Sequence, residues 1–516
     1  MNKKRIYRNI LIAAGLIAMV GVIGSIIHHY QLRAAVNQFR AELKAKGDLV
    51  ELSQAVPPPV APDRDGTALY LQALALEQTS KTMRSTGSFN IMRMVAPGKA
   101  MACAQQPDLR DGSTTNYWEQ LKPMGKDGEI QTLLTQLIDR PECDFNFDYQ
   151  RGFANNTSFT NLHLAQLKVS ARFLSNAGLA DLHAGNLASA VTNVQAMLVL
   201  ANASQRQRLL ISELVGMAIA NMAQSLTWEI LQSPDVADAQ LASLAADWER
   251  MDFLQAFPLA LTIEQHCTGI TLAEWRKSNA ALKETFNMGS VAWENQPSPL
   301  AQATLEARIF LYRYWWSYSD ELRALRGFQI LQQSAQEATR MGAGLQIQRK
   351  QETALKALGI VEPDDGWMGM LLEKKEFHSL LSGSIIGIQV AYKKLVRTEI
   401  SRQVVVAAIA LKRYQLQHGH WPDQLAELVP QYLPAIPQDA MTNQPLPYHR
   451  KSGGIFLLYS VGEDGMDNGG DPTFPKDGEN SSFNWLNPKA HDWVWPQPAT
   501  PAEIDAFYQR ELHRRH

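Results

Sequence analysis

The stretch Asn161–Ala201 reads NLHLAQLKVSARFLSNAGLADLHAGNLASAVTNVQAMLVLA. Leu162, Leu164, Leu167, Val169, Phe173, Leu174, Leu179 and Leu182 lead to Gly185-Asn186. Beyond that pair, Leu187, Ala190, Val194, Met197, Leu198 and Ala201 resume the same spacing. Apolar residues at steps of three and four, interrupted once by a Gly-Asn pair, specify a helix, a tight turn and an antiparallel helix. The same texture runs from about Asp65 to about Lys394. It lacks strand alternation and is rich in Ala, Leu, Gln, Met and Glu, which are favourable in helices. A repeat of about 34 residues would place Gly216 near an equivalent position, but the surrounding pattern does not return. The expected fold class is mainly α: an N-terminal transmembrane helix, an irregular array of α-hairpins and a small C-terminal α+β head. Ser85–Lys126, Asn287–Pro299 and Gly359–Gly366 read as loop-rich breaks.

Upstream of this array, Lys3, Lys4, Arg5 and Arg8 precede an uncharged apolar run, Ile10–Ile27. Its roughly 18 residues just span a bilayer as a helix. The positive flank places the N-terminus inside and the rest of the chain outside. A cleaved signal peptide is the rival reading. The end of the run, Gly24-Ser25-Ile26-Ile27-His28-His29-Tyr30, offers no small-x-small cleavage site, which favours an uncleaved signal anchor. His28, His29 and Tyr30 then sit at headgroup level. Leu32, Val36, Phe39 and Leu43 continue as one apolar stripe, a short stalk or packing helix. Pro57-Pro58-Pro59-Val60-Ala61-Pro62 forms a stiff linker. The expected units are an anchor at 1–30, a stalk and linker at 31–64, a helical domain at 65–396 and a separately folding head at 397–516.

Downstream, Ile400, Val404, Ala407, Leu411 and Tyr414 make Thr398–His418 an amphipathic helix that Gly419 ends. A short helix follows Pro422. Pro445–Arg450 and Ile455–Tyr459 read as strands joined at Ser452-Gly453-Gly454. Next comes Tyr459–Asp471, YSVGEDGMDNGGD, in which acids and an amide alternate with glycines. Such a loop can aim hard oxygens at one point, which suits Ca²⁺. The spacing is not that of an EF-hand, because Gly465-Met466 breaks the alternation of oxygen side chains.

This C-terminal part resembles the globular head of type II secretion major pseudopilins. The matching text is Ala407–Tyr414 into Gly419-His420-Trp421-Pro422, then Leu425, Leu428-Val429, Leu433–Asp439, Pro447-Tyr448 and Tyr459–Gly465. The resemblance implies a long helix, a helix-rich connection, a small antiparallel sheet and a Ca²⁺ loop. It also implies that Asp464 and Asp492 are metal ligands, with Asp467, Asn468 and Asp471 as further oxygens in the same loop. Pseudopilins carry their apolar helix immediately before this head and have a glycine-then-glutamate processing site. Here a large helical domain intervenes and that site is missing, which argues against assembly into a pseudopilus. The whole chain also looks like membrane-anchored bacterial envelope proteins.

The remaining signals are weaker. The 516 residues are 45% hydrophobic and 19% charged with a formal charge of −2, which gives no basic face for nucleic acid. Cys103, Cys143 and Cys267 lack CxxC spacing; Cys103 and Cys143 can pair in an oxidising compartment or remain as thiols. His418, His420 and His491 read as loop polar residues rather than a transition-metal site. Glu264-Gln265-His266-Cys267 has no second ligand pair. Tyr312–Tyr318, YRYWWSY, is a packing segment or a face against a partner or membrane. No nucleophile elbow, P-loop or dinucleotide fingerprint occurs. The expectation is a single-pass inner-membrane protein with its bulk in the periplasm, non-catalytic, holding a protein partner. The alternatives are a periplasmic hydrolase acting on envelope polymers and an accessory subunit of a secretion or pilus system.

Overall fold

The Gly185-Asn186 turn is formed as expected: the Asn186 N–H donates to the Asp181 carbonyl at 2.7 Å, closing one helix before the next begins. The computed structural model describes residues 3–47, 51–80, 92–109, 118–122, 125–154, 163–288, 299–342, 344–360, 380–474 and 485–515. The principal helices are α1 (Lys3–Lys46), α2 (Leu164–His183), α3 (Leu187–Gln205), α4 (Leu210–Gln232), α5 (Asp238–Arg250), α6 (Phe253–Lys277), α7 (Pro299–Leu311), α8 (Ser317–Met341), α9 (Ser382–His418) and α10 (Pro501–Arg515). The chain is mainly helical, with few strands.

Helices α2, α3 and α4 pack as consecutive antiparallel neighbours, and α9 lies across α4 and α5. Helix α3 is long and apolar enough to cross a membrane, but most of it is buried, which makes it a core helix. Gly216 holds α3 and α4 close, since a Cβ there would stand 2.7 Å from Cγ of Gln205. Buried Trp248 and Trp228 are each satisfied: Trp248 Nε1 donates to Thr227 Oγ1 at 3.1 Å and Trp228 Nε1 to the Pro496 carbonyl at 2.9 Å.

Helix α1 changes character along its length. Val36 and Leu43 are buried against the body, whereas Leu16, Met19, Val20, Val22, Ile23, Ile26 and Ile27 are exposed. The lower half is therefore a packing helix. Glu321 of α8, 2% exposed, pairs there with Arg40 and with Arg276 Nη2 at 2.6 Å. The side chains of 1–15, 17 and 18 lie outside the described residues, so the apolar run from Ile10 is described only in part.

Three expectations differ from the structure. The stretch 85–126 is not all loop: β1 (Arg93–Ala96) and β2 (Lys99–Met101) form a hairpin about Gly98, while much of the remainder lies outside the described residues, as do the centres of the other two loop-rich stretches. The helix expected from Thr398 begins at Ser382, because Ile385, Ile388, Tyr392 and Leu395 extend the buried stripe upstream. The expected boundary at 396/397 therefore lies inside α9. Finally, the C-terminal residues do not stand apart. Strand β8 (Gln497–Pro498) pairs in parallel with β2, and α10 buries Ile504, Phe507 and Tyr508 beside Val95 and Met101.

The tail holds a short turn and several short strands. Leu425–Leu428 is a 3₁₀ turn. Strands β3 (Gln438–Asp439) and β4 (Gln444–Pro445) pair with each other. Strands β5 (Tyr448–Lys451) and β6 (Ile455–Ser460) form the antiparallel hairpin, and β7 (Trp493–Val494) adds to β6. All three cysteines are buried and unpaired.

Candidate functional site

The acidic loop leaves β6 at Ser460 and returns to the sheet edge through Asp492, just before β7. Two buried carboxylates frame it. Asp439, at the end of β3, accepts from Ser460 Oγ, the Val461 N–H and the Met441 N–H, all at 2.9 Å. Asp492 accepts the N–H groups of Gly470 at 2.8 Å, Asp471 at 3.0 Å and Asn468 at 3.2 Å. The Asp492 N–H in turn donates to the Asp471 carbonyl at 2.9 Å. Burial raises both carboxyls, and the donated amides pull each back toward the charged form.

The other predicted ligands are engaged locally. Asp464 accepts the Met466 N–H at 2.9 Å, and Asp471 accepts the Thr473 N–H at 3.0 Å. Asp467 Oδ1 accepts the Tyr459 hydroxyl and the Gly469 N–H, each at 2.8 Å, which hold its carboxyl below the usual range, the amide contributing most. Asn468 Nδ2 donates to the Met466 carbonyl at 3.1 Å. Glu463, beside the loop, pairs with Arg397 Nε of α9 at 2.8 Å. Gly470 is at φ +79°, and a Cβ there would stand 2.6 Å from Leu457 Cδ2. Gly470 is thus required by contact as well as by conformation.

Asp492 is brought to the loop, but it meets the backbone rather than the other carboxylates. Among the described residues, no three His, Cys, Asp or Glu side chains are grouped to hold a metal ion. Each predicted carboxylate ligand accepts an N–H of the chain. The arrangement is a clamp made of amides and carboxylates. Asp439, which belongs to the matched text but was not read as a site residue, is its missing half. Its signal in the sequence was a lone acid between Gln438 and Ala440, indistinguishable from a turn residue.

A polar cleft of about 720 Å³ lies between the end of α9 and the tip of the β5–β6 hairpin, with His420, Asp423, His449 and Arg450 in its wall. Asp423 is tied to Arg450 Nη1 at 2.7 Å, so the cleft does not carry a paired-acid arrangement. His418 stacks on Tyr414, and its Nδ1 donates to the Tyr414 carbonyl at 3.0 Å.

One buried acid of the helical body is a structural tie. Glu229 of α4, 2% exposed, accepts the N–H groups of Cys103 at 2.9 Å, Ala104 at 3.2 Å and Met92 at 3.3 Å, clamping both ends of the β1–β2 hairpin. Burial pushes it up to about 7 against those three amides. Burial first, and then the Glu264 charge, push the Cys267 thiol up to about 12, which favours its protonated form. Compared with known proteins, the chain matches no family, no curated protein and no solved structure.

Proposed function

We propose that the chain is a single-pass, membrane-anchored periplasmic scaffold with a non-catalytic helical body that holds a protein partner and a pseudopilin-like tail. The observation that carries the reading is the contrast within α1. Val36 and Leu43 are buried, while the seven apolar residues from Leu16 to Ile27 are each at least half exposed. A water-facing helix would not keep so many apolar side chains in a row, whereas a bilayer accommodates them. The basic residues before the run orient it with the body outside the cytoplasm.

The non-catalytic half of the reading is supported by how the buried acids are used. Glu229, Glu321, Asp439 and Asp492 each bind backbone amides or arginines. The polar cleft of the tail, open and mixed in charge, is the part best suited to a polar partner segment. The similarity to a pseudopilin head is supported by the order of long helix, 3₁₀ turn and antiparallel hairpin. Nothing in this reading requires an ion. Reporter fusions after residue 50, read beside alkaline extraction of membranes, test it. A periplasmic reporter and extraction-resistant protein are expected; a cytoplasmic reporter or a freely soluble chain overturns it.

A further inference from the structure

The exposed apolar surface of α1 does not end with α1. At its upper part, Val22, Ile26 and Tyr30 line a groove of about 680 Å³ whose other wall is Phe310, Tyr314 and Trp315. Those three are 58%, 47% and 46% exposed. Phe310 lies in the last turn of α7, and Tyr314 and Trp315 occupy the π-turn that follows it, Tyr312–Trp316. The wider turn sends Tyr312 into the core, where its hydroxyl donates to Asp320 at 2.8 Å, and leaves Tyr314 and Trp315 facing outward. The π-turn is fastened to α1: His29 Nδ1 donates to the Tyr314 carbonyl at 2.8 Å, and its ring meets Tyr318 edge-on. The aromatic face is therefore held at a fixed height against the apolar run.

We propose that Phe310, Tyr314 and Trp315 form a foot that rests in the outer interface of the bilayer, so that the helical body sits on the membrane instead of swinging from its anchor. The inference rests on the membrane-anchor reading above. The occupant is lipid, and the argument is continuity. Val22 lies about 8 Å below Ile27 at the helical rise, so the groove opens on the outer part of the hydrocarbon layer that the run spans. Tyr and Trp, apolar in body with one polar edge, are the residues that settle at this depth. The lower half of α1 then docks rigidly on α8 through Glu321, which leaves little freedom to lift the foot away.

The test uses the full chain in vesicles of phosphatidylethanolamine and phosphatidylglycerol that contain spin-labelled lipids. Single cysteines replace Ile23, Phe310 or Trp315 and carry an environment-sensitive dye; the three native thiols are buried and do not compete. Two foot positions guard against one variant misfolding, with circular dichroism as the check. Expected is quenching by about twofold or more at all three positions, with lipids labelled near the headgroup more effective than chain-end labels at 310 and 315. Quenching at 23, with 310 and 315 reached only by aqueous iodide, leaves the anchor standing and removes the foot. Foot positions shielded from both lipid and iodide mean that protein, such as a second copy, covers the patch, which also overturns the proposal. Absence of lipid quenching at all three removes the anchor reading itself.

Discussion

Asp492 ties the acidic loop to the edge of the sheet. Its carboxylate gathers the N–H groups of Asn468, Gly470 and Asp471. Replacing it with alanine orphans these donors and should cost about 2 kcal/mol, seen as a lower melting temperature of the full chain and faster amide exchange at 468–471. A chelator added to the unsubstituted chain should leave both unchanged; a drop with chelator would show that an ion contributes as well. Gly470→Ala should also destabilise, by about 1–3 kcal/mol, from strain at positive φ with Leu457 in the way. Buried glutamates give a pH signature. Burial lifts Glu77, Glu229 and Glu264 to about 7 and Glu213 to about 8, from an ordinary value of 4.5. The folded chain binds more protons than the unfolded one between those values. The stability they contribute is complete below 4.5 and is lost as pH rises through 7 to 8. Glu213 is the sharpest test, since its Oε2 accepts from Gln205 at 2.9 Å while Oε1 has no hydrogen-bond partner among the described residues. Glu213→Gln should leave the melting temperature at pH 5.5 nearly unchanged and raise it at pH 8.5 by about 1–2 °C; equal shifts at both values would refute the titration.

Elements whose burial pattern is local were legible in the sequence. The α2–α3 hairpin, the stripe on α1 and the β5–β6 hairpin all follow from spacing and turn chemistry within a few tens of residues. What escaped has long-range causes. The β1–β2 hairpin is short, and its stability comes from Glu229, more than a hundred residues away, and from β8 at the far end of the chain. The true start of α9 was hidden because its upstream half is buried on several faces, so no polar stripe marks it as helical. Gly216, noticed as a possible repeat position, is instead a point of close helix approach. At the candidate site, the partners of Asp492 are backbone groups that no side-chain pattern reveals. The latch between α1 and α8 is likewise non-local and can be tested. Glu321→Ala leaves Arg276 beside an emptied buried position and should cost about 3 kcal/mol, with faster exchange along residues 31–46. Arg40→Ala, at a 44% exposed side chain, should cost less than about 1 kcal/mol. Equal losses would mean that the pairing with Arg276 does not govern the latch.

The helical body and the tail share one cluster of buried side chains. Helix α9 runs from the body into the tail without a break, and its residues from Ile385 to Leu411 belong to one buried cluster with α4 and α6. The tail also reaches back. The Gln497 N–H donates to the Gly98 carbonyl at 2.9 Å, the Ala499 N–H to the Ala100 carbonyl at 2.7 Å, and Lys99 Nζ pairs with Glu503 at 2.6 Å. A fragment from Arg397 to His516 would begin in mid-helix, lose the partner strand of β8 and expose the faces of α10 and α9 that the body now covers. Such a piece has a few short strands and shares its buried cluster with the body, and small domains need most of their apolar surface buried to hold together. The isolated fragment should therefore show neither a cooperative thermal transition nor dispersed amide resonances. Co-expressed with residues 31–396, it should regain both, because the missing contacts are non-covalent. A fragment that melts cooperatively alone, with the β5–β6 pairing intact, would show that the tail is a separable head and that its ties to the body are secondary.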